Sequence, residues 1–139
     1  MTSDQRHEEG DKRRWTVEDL DVFKRAYGLS LTLHRASLDW PKMEQYGGLA
    51  DQLRRASKSV CGLLAEGAGR QHDSPREFAR YVTMAIGSAE EARLWCRYAA
   101  DLGYVEPARA SAWRDEIGHV IRMLNGLKAG GRRQSSSDH

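Results

Sequence analysis

The sequence predicts an all-α fold, an antiparallel up-down-up-down four-helix bundle, and three observations carry that expectation. Apolar residues recur at steps of three and four through four long segments. Glycine, proline and capping residues punctuate the chain between those segments. No segment shows the period-two alternation bounded by hairpin turns that marks a strand.

The first helix is expected to open at Thr16, a good N-cap, with Asp19 three residues on as a near-variant of the capping box. Leu20, Phe23, Tyr27, Leu31, His34 and Leu38 then form one face, read as the core stripe. Trp40-Pro41 ends the helix, because a residue before proline avoids the helical region, and Tyr46-Gly47-Gly48 completes the turn. The second helix is expected over about Leu49 to Ala68, with Leu49, Leu53, Ala56, Val60, Leu64 and Gly67 as its stripe and Gly69 as its cap.

Ser74-Pro75-Arg76-Glu77 is the clearest local signal in the chain. It sets an N-cap serine, a proline at the first helical position and a glutamate at the third. The third helix follows with Phe78, Val82, Ala85, Ala89, Ala92, Cys96 and Ala99, and Trp95 beside them. Gly103 supplies a left-handed C-cap after Leu102. The fourth helix begins near Glu106-Pro107 with Trp113, Ile117, Val120, Ile121, Leu124 and Leu127 facing the core. Short connections between helices of this length force sequential neighbours to run antiparallel.

Residues 1–14 mix both charges and hold no apolar cluster, so they read as a disordered tail, as do residues 130–139; the bundle occupies 15–129. The 139 residues suit one domain, and 40% apolar content suffices for one core. Lys and Arg total 22 against 20 acidic residues, a net charge of +2, which permits a local basic face and nothing broader. Neither a signal peptide nor a membrane span is legible, so the expected location is cytoplasmic. Cys61 and Cys96 lack metal or redox spacing and read as small buried hydrophobes.

No catalytic signature survives inspection. Glu116-Ile-Gly-His119 has the Glu-x-x-His spacing of di-iron bundles, but such sites need a second motif that the chain lacks, since Leu31 stands at that spacing before His34 and His72 lies in a loop. The glycines of residues 62–69 lack the preceding strand and the Lys-Ser/Thr ending of a phosphate loop. The reading is a non-enzyme with no cofactor, no metal and no small-molecule substrate.

Two stripes ask for more than a core role. On the second helix Arg55, Ser59, Gly62 and Glu66 share a face roughly opposite the core. On the third, Arg80, Met84, Gly87, Ser88 and Glu91 do the same. Glycine inside a helix costs about 1 kcal/mol against alanine, so Gly62, Gly67 and Gly87 call for a packing reason. Arg55, Ser59, Gly62, Glu66, Arg80, Gly87, Ser88 and Glu91 are therefore candidate interface residues. Arg54, Arg55, Lys58 and Arg70, with Arg132 and Arg133 near the C-terminus, are candidates for phosphate contacts.

Several short motifs resemble the 23S rRNA intervening-sequence family. They are Glu18 to Phe23, Leu53 to Val60, Ala65 to Arg70, Glu77 to Tyr81, Ala85 to Glu91 and Met123 to Leu127, covering roughly Val17 to Lys128. The resemblance implies a four-helix bundle that assembles as a homopentamer, with no catalytic residues to carry over. Related bundles accompany retroelements, which implies RNA or DNA and a reverse transcriptase as partners. One place departs from the family: Cys61-Gly62-Leu63 stands where many members carry Pro-Ser-Asn, so the second helix should be straighter and its stripe less polar. The first functional expectation is a self-associating scaffold or adaptor that binds nucleic acid through a basic surface. The alternative is a protein–protein regulatory module with no nucleic-acid role.

Overall fold

The computed structural model describes residues 15–71 and 73–137, with side chains through Gly130. Four α-helices make up the fold: α1 (Asp21–Ser37), α2 (Leu49–Arg70), α3 (Pro75–Asp101) and α4 (Pro107–Ser137). Short 3₁₀ turns precede α1 (Val17–Asp19) and α2 (Lys42–Glu44), and the described residues contain no strand. The tail expected over residues 1–14 lies outside the described residues, as does His72. The backbone of α4 is helical through Gly130 and Gly131 to Ser137, past the point where the glycine pair suggested an end.

Local chemistry explains the boundaries. Ser74 is extended, and its Oγ accepts a hydrogen bond from the Glu77 backbone N–H at 3.1 Å, the N-cap that the Ser-Pro-x-Glu run promised. At the far end of α3, Gly103 takes a φ of +81° that only glycine adopts cheaply, which turns the chain towards α4. The Thr16–Asp19 pair caps a single 3₁₀ turn rather than α1: the Asp19 carboxylate accepts from the Thr16 backbone N–H at 2.7 Å, and α1 starts at Asp21. Gly69 is not a cap either. It has no left-handed φ, and α2 passes through it to Arg70.

The core stripes of α2, α3 and α4 lie where the periodicity put them. Leu53, Leu64, Val82, Cys96 and Leu124 are fully buried, and Phe78, Trp113 and Ile117 lie beside them. Trp95 differs from expectation: it is half-buried at the edge, where its indole N–H reaches Glu91 at 3.1 Å. On α1 the phase is different altogether. Val22, Ala26, Ser30, Leu33 and Ser37 face the core, whereas Tyr27 and Leu38 are 51% and 55% exposed. The physical reason is size. α1 docks through small residues, and Ser30 and Ser37 satisfy their hydroxyls within the helix by donating to the Tyr27 and His34 carbonyls. Their polarity hid the true stripe behind larger side chains one position away.

Helices that follow one another in the chain pack side by side, as in a bundle. His34 of α1 meets Lys58 of α2, and three residues later Ser37 meets Arg54, four residues earlier. Ser59 of α2 meets Ser88 of α3, while Gly67 packs on Phe78 and Tyr81. α4 closes onto α1 through a two-pronged Arg25–Glu116 pair at 2.6 and 3.1 Å. That pair also occupies the glutamate of the Glu-x-x-His motif and holds its carboxyl below the usual range.

The loop between α1 and α2 is fastened rather than loose. Trp40 is buried, its ring 5.8 Å from that of Tyr104. The Glu44 carboxylate accepts from the Leu49 backbone N–H at 2.8 Å and from the Tyr104 hydroxyl at 2.6 Å, which caps α2 and ties it to the α3–α4 connection. Gly48 has to be glycine here, since a Cβ would stand 2.6 Å from the Glu44 Cα.

Candidate interface on the second and third helices

The two small-residue stripes are one surface. α2 and α3 meet so that Ser59 Oγ lies 3.0 Å from Ser88 Oγ, both half-buried at the floor of a shallow seam. Gly62 and Gly87 flank that contact, are exposed, and have nothing within 4 Å of where a Cβ would stand. Gly67, five residues further along α2, is the contrasting case. Its Cβ would stand 2.8 Å from the Tyr81 Cβ, so it serves the packing of α2 on α3 within the subunit.

Charges border the seam in opposite signs. Arg80 holds Glu77 in a two-pronged pair at 3.1 and 3.2 Å, and that bond is the main cause of the low Glu77 pKa. Arg55 bonds Asp51 at 3.2 Å and is 75% exposed, while Glu66 and Glu91 are also exposed. Met84 adds an exposed thioether between Arg80 and Gly87. Small residues, one flexible apolar side chain and exposed charges of both signs make a face that another helix can approach closely.

The basic candidates divide. Lys58 and Arg55 are exposed on α2, and Lys58 reaches α1, its Nζ 3.0 Å from His34 Nδ1. Partial burial, followed by the charges of Lys58, Arg54 and Arg35, holds the His34 pKa below its ordinary value, as expected of a local positive field. Arg70 is exposed at the end of α2, its guanidinium 5.5 Å from the centre of the Tyr81 ring. Arg54 works inside the fold instead. It donates to Ser37 Oγ at 2.8 Å and to the Gln45 carbonyl at 3.1 Å, and so pins the α1–α2 loop. The side chains of Arg132 and Arg133 lie outside the described residues. Sequence reasoning missed His34 as a member of this cluster, because its contact with Lys58 depends on the corrected phase of α1.

Neither cysteine is poised for chemistry. Burial pushes the Cys61 thiol up to about 11 and the Cys96 thiol up to about 12. Among the described residues no group of three or more His, Cys, Asp or Glu gathers as a metal site, and no helix is long and apolar enough to cross a membrane.

Comparisons with known proteins agree with this architecture. The family model described as "23S rRNA-intervening sequence protein" matches residues 18–126. A crystal structure of a protein of unknown function from the S23 ribosomal protein family of Bacteroides thetaiotaomicron superposes with a TM-score of 0.67. That likeness spans 77% of this chain and 97% of the other at 13% identity, and it speaks to the fold alone. No curated protein matches the sequence.

Proposed function

The chain belongs to the 23S rRNA-intervening sequence protein family, and on that premise we propose that it is a non-enzymatic, self-associating scaffold built as an antiparallel up-down-up-down bundle. Copies join through the α2–α3 seam, as a ring of five. The observation that carries this reading is the pair of exposed glycines, Gly62 and Gly87, on either side of the Ser59–Ser88 contact. Each costs helix stability and neither meets anything inside the subunit, so their use lies outside it. Arg55, Glu66, Arg80 and Glu91 border the seam and supply cross-subunit charge pairing.

The assembled scaffold binds RNA or DNA through phosphate contacts in the cytoplasm, and in a retroelement setting presents it to a reverse transcriptase. Lys58 and Arg70 are the exposed cations that support this reading, with Arg132 and Arg133 as further donors. A monomer of net charge +2 has a weak field, but a ring repeats the basic edge around its rim. Phosphate contacts release counterions, so affinity falls steeply with salt and is indifferent to base sequence.

Fluorescence anisotropy with labelled RNA and DNA at about 50 and about 200 mM salt tests the nucleic-acid half. Tight low-salt binding that weakens at high salt, and weakens for every sequence in Lys58→Glu/Arg70→Glu, is expected. Absence of binding at the lower salt removes nucleic acid and leaves the protein–protein scaffold.

A further inference from the structure

On the opposite flank of α3 from the seam lies a second feature that the scaffold reading does not use. α3 and α4 flank an open, solvent-facing pocket of about 300 Å³ lined by Arg93, Arg114, Asp115, Gly118, Ile121 and Arg122. Arg114, Gly118 and Arg122 stand at steps of four along α4, and Arg93 faces them from α3. Gly118 has no side chain to fill the space between the two α4 arginines.

The Nε atoms of Arg93 and Arg114 are buried and have no hydrogen-bond partner among the described residues. Buried polar donors are ordinarily hydrogen-bonded, and the Arg93 side chain is otherwise 42% exposed, so the two unpartnered Nε atoms belong to arginines that no protein acceptor fully engages. Glu90 forms an ion pair with Arg93 at 3.7 Å from its Nη1, beyond hydrogen-bond reach, and the Nε stays without an acceptor. Arg122 has a long 3.5 Å contact with His119 Nδ1, and the carboxylates of Asp115 and Glu90 leave one of the three positive charges unbalanced.

We propose that this α3–α4 pocket is an anion site that takes a phosphoryl group, free or as a phosphate monoester. Guanidinium forks match the oxygens of phosphate in pairs, and three of them suit a tetrahedral dianion better than a planar carboxylate, which one fork satisfies. The pocket also exceeds what a simple halide would fill. The site stands apart from the α2–α3 seam and from the Lys58–Arg70 edge, and it does not rest on the proposed function.

Isothermal titration and thermal unfolding of the full chain with inorganic phosphate, against sodium chloride of matched ionic strength, provide the test. Phosphate is expected to bind and to raise the unfolding temperature where chloride does not. Arg114→Gln is expected to weaken phosphate binding on the order of tenfold or more, as loss of a charge-assisted pair does. Arg122 is exposed, so Arg122→Gln offers a second variant that keeps the fold if Arg114→Gln does not. A 5′-phosphorylated oligonucleotide that competes with phosphate, where the unphosphorylated strand does not, places the group at the end of a nucleic acid. Competition by neither strand leaves a small phosphate as the ligand. No heat and no shift with phosphate, or a shift that chloride reproduces or that both variants retain in full, overturns the assignment.

Discussion

Two glycines five residues apart on α2 should respond to the same substitution with opposite signs. Gly62→Ala adds a methyl group to open space, since nothing lies within 4 Å of its Cβ position. Only helix propensity and the entropy of the unfolded chain then matter, and both favour alanine, by about 0.5–1 kcal/mol in total. Gly67→Ala gains the same but drives its methyl to 2.8 Å from the Tyr81 Cβ and 3.4 Å from the Phe78 Cδ1. Ordinary carbon contacts begin near ~3.5 Å, so α2 and α3 must part by roughly half an ångström or more. Overpacking of this kind costs about 1–3 kcal/mol, which cancels or exceeds the propensity gain. The two variants should therefore differ by about 1–3 kcal/mol in favour of Gly62→Ala. Urea titration at several protein concentrations reads the difference from the midpoints, because self-association makes each midpoint depend on concentration. Equal stabilisation by both substitutions would refute the close α2–α3 approach at Gly67. Destabilisation by Gly62→Ala at a concentration where the chain is monomeric would show that its face is already filled within the subunit.

Two further outcomes follow from the core and from the loop that fastens it. Trp113 is 6% exposed with Arg109 5.0 Å above its ring, so Trp113→Ala should cost about 3–5 kcal/mol, and a loss under about 1 kcal/mol in the same titration would place it on the surface. The Leu49 N–H and the Tyr104 hydroxyl hold the Glu44 carboxyl below its ordinary value of 4.5, so Glu44 binds fewer protons folded than unfolded near that pH. Its contribution is present above about pH 4.5 and is lost as pH falls through the folded value. Glu44→Gln should thus lower the unfolding temperature at neutral pH, with a gap to the parent chain that closes on acidification; a gap that is constant with pH would exclude the ionised bond.

Most of the architecture was legible because boundaries depend on local chemistry. Ser74-Pro75 and Gly103 act through neighbouring backbone, and the chain behaves there as the residues dictate. The apolar stripes of α2 to α4 were legible because large residues marked them. α1 was not, because its true stripe is built from Ala26, Ser30 and Ser37, and small polar residues register as solvent-facing in any count of hydrophobicity. Phe23 and Tyr27, stacked 5.9 Å apart, supplied a more apolar pattern, although Phe23 only borders the core and Tyr27 faces outward. The union of the two candidate stripes at Ser59 and Ser88 depends on how α2 and α3 align, which spacing within one helix does not contain. The same holds for Arg54. Its charge invited a surface role, and only the fold brings Ser37 and Gln45 within its reach. The Arg114, Gly118, Arg122 row could have been seen in the sequence as three positions at steps of four. Its meaning required Arg93 from the neighbouring helix.

If copies of this chain join through the α2–α3 seam, the molar mass in solution must show it. Size exclusion coupled to light scattering at micromolar concentration should give about five times the 15.7 kDa chain mass. Gly62→Arg/Gly87→Arg, which fills the exposed seam with two large cations, should return the mass to one chain while far-ultraviolet circular dichroism stays helical. A parent mass of 15.7 kDa, or an assembly that the double substitution leaves intact, would contradict self-association through this seam.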